Sequence, residues 1–104
     1  MKTPISITML FFTVLSVFPQ KKILVYHETN GFRHSGAITS GIAMFQQMGN
    51  DSGEWLTDNS QNSADFNTAN LQQYDAVVFL NTSGDNLLSA TERQAFENFI
   101  ANGK

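Results

Sequence analysis

Two histidines, a glutamate, an arginine and a glycine lie in one stretch, "HETNGFRHSG", at residues 27–36. Those side chains can do chemistry. Imidazole exchanges a proton near neutral pH or ligates a metal. A guanidinium clamps a carboxylate, a phosphate or a sugar hydroxyl. A carboxylate serves as a general base. A second polar stretch, "NTSGDN" at residues 81–86, follows an apolar run. His34 is the candidate for acid–base work or metal ligation, and Arg33 for holding a ligand oxygen. Plainer roles compete with each. His34 caps a helix start, Arg33 pairs on the surface with Glu28 or Asp85, and Asp85 forms a turn. Glu28 is a solvated strand-end carboxylate, and His27 is structural. Gly31 supplies a positive φ, room for a close approach, or only a tight turn.

The flanking elements give these residues their positions. "KILVYHE", residues 22–28, is apolar from Ile23 to Tyr26, as suits a strand buried on both faces. Ser35 is a helix N-cap candidate. Ile38, Ile42, Phe45 and Met48 then form one helical stripe, which Gly49 and the "NDSG" after it stop. "EWLTD", residues 54–58, is a short second strand. The polar tract that follows is a loop with a short helix near residues 68–72, anchored by Phe66 and Leu71. "DAVVFLN", residues 75–81, is the clearest strand. Ser89 and Glu92 make a capping box. Behind it Ala95, Phe96, Phe99 and Ile100 form a helix face, and Gly103 stands where a helix C-terminus favours glycine.

Alternation of strand and helix predicts an α/β fold with a parallel sheet. A third strand returning to the far side of the first gives the order 2-1-3, as in flavodoxin-like folds. Ligands of such sheets bind beyond the carboxyl ends of the strands, where the order reverses. That point lies between the first and third strands, where "ETNGFRHS" and "NTSGDN" meet. The third strand, apolar and at an edge, invites aggregation. It predicts that the chain is the N-terminal portion of a larger domain.

Composition removes several classes. The formal charge is −3 and only six Lys and Arg are present, so there is no basic footprint for nucleic acid. With no cysteine, disulfides, thiolate nucleophiles and Cys-ligated zinc are excluded within this sequence. The opening stretch has neither the Lys-Ser/Thr ending of a P-loop nor G-x-G-x-x-G. No G-x-S-x-G elbow occurs. The spacing of His27 and His34 matches no standard zinc pattern. Asn50-Asp51-Ser52 and Asn81-Thr82-Ser83 fit the N-glycosylation pattern, which is common by chance.

Lys2 and the uncharged run from Ile5 to Phe18 have the form of a secretory signal over residues 1–20. The run is shorter than the roughly 20 residues of a comfortable membrane span. No A-x-A-like pair marks the cleavage site, and an uncleaved anchor or a buried first strand are the alternatives. A secreted or periplasmic location follows from the signal.

"KILVYHETNGFRHSGAITSGI" with "YDAVVFLNTSGDNLLSATERQAFENFIANGK" resembles the start of a ThuA-like domain, the trehalose-utilisation family. The resemblance covers residues 22–104 and is carried by Thr29, by Gly31-Phe32-Arg33-His34 and by Thr82-x-Gly84-Asp85. It implies a class I glutamine amidotransferase-like, flavodoxin-type domain, of which residues 21–104 are the N-terminal part. It also implies a further Gly-rich strand after Gly103-Lys104, with more of the pocket beyond. The family lacks the usual amidotransferase cysteine, in keeping with this composition. The function expected on this basis is carbohydrate utilisation. A sugar such as a trehalose-like disaccharide would bind with Thr29, Gly31, Arg33 and His34 on one wall and Thr82, Gly84 and Asp85 on the other. Other carbohydrate-related modules are expected as partners. Two rivals stand beside it: a non-catalytic binding module, and a hydrolase or amidotransferase-like enzyme whose nucleophile lies outside these residues. The residues name no cofactor, metal, substrate or oligomeric state.

Overall fold

The computed structural model of the chain describes residues 3, 4, 8 and 20–104. The expected signal at residues 1–20 lies outside the described residues, apart from those four positions. Three strands, β1 (Lys21–Tyr26), β2 (Trp55–Ser60) and β3 (Ala76–Phe79), form one parallel sheet in the order β2-β1-β3. Helices α1 (Ser35–Ser52), α2 (Thr68–Leu71) and α3 (Ala90–Ala101) connect or follow them, with a 3₁₀ turn at Ser63–Asp65. This is the expected α/β, flavodoxin-like arrangement.

Register explains how one strand serves two faces. Leu24 stands opposite Asp58 on β2 and Val77 on β3, and Tyr26 opposite Ser60 and Phe79. Side chains alternate along a strand. Leu24 and Tyr26 therefore join Phe66, Leu71, Tyr74, Ala95 and Phe99 in a core under α2 and α3. Tyr26 meets Phe66 edge-on, ring centroids 4.7 Å apart, a favoured aromatic geometry. Val25 and His27 point to the opposite face. There Trp55 Nε1 and Thr57 Oγ1 each donate to the Phe45 carbonyl of α1, both at 3.2 Å.

The boundaries depart from expectation at informative places. Helix α1 runs past Gly49 to Ser52, and Gly53 ends it in the left-handed region, φ 69°. Gly49 is a packing residue: a Cβ there would stand 2.5 Å from the Trp55 carbonyl oxygen. Ser35 is the first helical residue rather than the N-cap. His34 occupies the cap with no side-chain bond, and its carbonyl accepts from Ile38 N at 3.0 Å. Met48 and Ile100, both assigned to apolar stripes, are exposed. Strand β3 is shorter than residues 75–81. Leu80 N still donates to Tyr26 O at 2.8 Å, but Asn81 then takes φ 48° and turns the chain. The Ser89–Glu92 capping box is present in both directions, and Phe66 and Leu71 are buried anchors of the polar tract.

Candidate functional site

Beyond the carboxyl ends of β1 and β3 the two connecting loops are fastened together. Thr29 and Ser83 form an isolated parallel bridge. Asn30 N donates to Ser83 O at 3.1 Å. Ser83 Oγ donates to Phe32 O at 2.8 Å. Asn30 Nδ2 donates to Asp85 O. Gly84 has φ 102°, and a Cβ on it would overlap the Asn30 amide oxygen. A side chain at 84 would thus break the clasp on both conformational and steric grounds. Gly31 carries neither requirement. It is absent from the positive-φ glycines, and a Cβ there would meet nothing within 4 Å.

Arg33 is not a surface ion-pair partner of Glu28 or Asp85. Its Nη1 donates to His27 O at 2.8 Å, and its Nη2 lies 2.9 Å from His27 Nδ1. His27 is only 5% exposed, so its ring nitrogens need partners. A guanidinium has donors and no acceptor, so Nδ1 must accept. The ring proton then sits on Nε2, which faces Asn59 Oδ1 at 3.1 Å. Asn59–His27–Arg33 is one chain of hydrogen bonds running from the end of β2, through the end of β1, to the start of α1. It fixes the guanidinium at the strand ends. His34, by contrast, is exposed and rests edge-on against Phe32, centroids 4.9 Å apart.

On the other face of β1 the Tyr26 hydroxyl donates to the Glu28 carboxylate. Burial first, and the bond to Glu28 second, push the Tyr26 phenol well above the ordinary tyrosine value. Tyr74 is raised in the same way by burial and by its 2.7 Å bond to Asp58. Tyr26 is thus a neutral donor near pH 7, and one side of the Glu28 carboxylate is occupied.

Thr29, Gly31, Arg33 and His34 lie on the loop after β1 and Thr82, Gly84 and Asp85 on the loop after β3. Of the first group Thr29 meets the β3 loop directly, whereas Arg33 is turned to His27 and His34 to Phe32. Asn30 and Ser83 join them at the seam, and Asn59 contacts His27 from the end of β2, on the other side of β1. The sequence marks Asn30 only by its place before Gly31 in the turn. Asn59 needs the β1–β2 register to come beside His27. No group of three or more His, Cys, Asp or Glu arranged to hold a metal occurs among the described residues. No helix among them is long and apolar enough to cross a membrane. A separate open cleft of about 530 Å³ lies between α2 and α3, lined by Phe66, Thr68, Gln94 and Asn98 among others. None of the strand-end candidates lines it.

No curated protein and no solved structure matches the chain. A family model described as trehalose utilisation, ThuA, matches residues 22–104. With that match over most of its length, and the 2-1-3 parallel sheet behind it, the chain belongs to the ThuA trehalose-utilisation family.

Proposed function

We propose that the chain is a secreted ThuA-like carbohydrate-binding unit whose ligand, a trehalose-like or modified disaccharide, sits on the strand-end seam. The observation that carries this reading is the fastening of the β1 and β3 loops at the point where strand order reverses, the general ligand position of open parallel sheets. Arg33, immobilised by His27, is the donor for a sugar oxygen. Thr29, Thr82 and Asp85 supply further polar contacts, Gly31 leaves room beside them, and Gly84 admits the Asn30 amide that holds the two loops together. His34 is the proton-transfer candidate.

A trehalose titration followed by calorimetry tests it. Arg33→Ala and Asp85→Ala are each expected to weaken binding about tenfold, the equivalent of one charge-assisted hydrogen bond. Unchanged affinity in both variants overturns the placement. A non-catalytic binding role is the second reading, and one observation favours it. His34 makes no hydrogen bond to a carboxylate among the described residues, so nothing there orients it as a base. Turnover of the disaccharide abolished by His34→Ala would decide for catalysis.

The same proposal includes export and a larger domain. Export rests on Lys2 and the Ile5–Phe18 run, and a mature N-terminus beyond residue 18 in secreted protein checks it. The larger domain rests on β3. Among the described residues that strand pairs on one side only, and its Phe79 is 44% exposed.

A further inference from the structure

We propose that Asn30 is a site of spontaneous deamidation, and that its conversion unfastens the two walls of the strand-end seam. Asn30 precedes Gly31 in an exposed turn. Glycine offers no side chain to hinder ring closure, and a Cβ at Gly31 would meet nothing within 4 Å. The Gly31 amide makes no backbone hydrogen bond among the described residues, so its nitrogen is free to react. The amide nitrogen of Gly31 attacks Asn30 Cγ. A new N–Cγ bond forms, the Cγ–Nδ2 bond breaks, and ammonia leaves with the Gly31 proton as a cyclic succinimide closes. Water then opens the ring at either carbonyl, giving aspartate or backbone-shifted isoaspartate. No oxidant or catalyst is required.

The consequence follows from what Asn30 touches. Its Nδ2 is the donor to Asp85 O, and its amide packs on Gly84. A carboxylate in its place has no donor at neutral pH and sets its oxygens against the Asp85 carbonyl. Isoaspartate also lengthens the backbone beside the Thr29–Ser83 bridge. Either product removes the side-chain fastening to Asp85 and weakens the clasp. The chain contains an internal reference, Asn102-Gly103. There the Gly103 amide is engaged, donating to Ile100 O at 3.1 Å at the end of α3, so Asn102 has a tied nucleophile.

The experiment is prolonged incubation of the protein in mildly alkaline buffer, with peptide mass mapping over time. Asn30 is expected to convert several-fold faster than Asn102. Gly84→Ala, which evicts the Asn30 amide, is expected to accelerate conversion at Asn30 several-fold and leave Asn102 unchanged. Asn30→Asp is expected to lose exchange protection of its own amide, the donor to Ser83 O, with no change in melting temperature. Conversion at Asn102 with Asn30 intact would overturn the proposal. So would an unchanged Asn30 rate in Gly84→Ala, or retained protection in Asn30→Asp.

Discussion

Arg33 can only donate, and that one property sets the state of the histidine beside it. His27 accepts at Nδ1 and carries its proton on Nε2, toward Asn59. Nitrogen-15 shifts of the imidazole should report the Nε2–H tautomer, and a proton on Nδ1 would contradict the network. His27→Ala strands Arg33 and leaves a hole at the end of β1. A loss of about 2 kcal/mol in urea unfolding is expected, the scale of a hydrogen bond to a charged group. A loss below about 0.5 kcal/mol would mean the network is incidental. The two raised tyrosines give a pH prediction. In the unfolded chain they release protons near the ordinary value of 10.0, and in the fold only at higher pH. The folded state therefore binds more protons above pH 10. Their contribution to stability is complete below that value and falls as pH rises beyond it. Urea midpoints measured on both sides of pH 10 should drop on the alkaline side in the wild type. The drop should be smaller in Tyr74→Phe.

At the scale of elements, α1 shows what periodicity can and cannot convey. The Ile38–Ile42–Phe45 spacing announces the helix, and Ile38 is buried as that pattern requires. Its end is misread because Gly49 looks like a terminator, whereas glycine stands there to admit Trp55. That contact joins residues on different elements, and no local pattern encodes it. The same holds for His27, whose partners Asn59 and Arg33 come together only through sheet register. Position at a strand end identifies the loop as a site candidate; it does not say which side chains are already committed to one another. Gly49→Ala should therefore destabilise by about 1–3 kcal/mol through overpacking. Gly36→Ala, also in α1 but with open space around its Cβ, should not destabilise. Equal urea midpoints for the two variants would refute the packing role of Gly49.

For the whole molecule, the alternation of apolar runs with amphipathic stretches conveys the α/β class, while the order 2-1-3 holds only on the condition that the third strand returns to the far side of the first, as it does. A strand with apolar residues on both faces lies between two layers. Strand β1 does so, with Val25 and Tyr26 fully buried. The seam between the β1 and β3 loops then forms at the reversal point. The wide cleft between α2 and α3 is the competing location for a ligand. It is lined by amide, hydroxyl and apolar side chains, without a charged residue among those that form it. An amide-resolved NMR titration with trehalose distinguishes the two and tests the central claim most directly. Perturbations concentrated at residues 29–34 and 82–85 are the predicted result. Perturbations confined to Phe66, Thr68, Gln94 and Asn98, or none at saturating sugar, would contradict it.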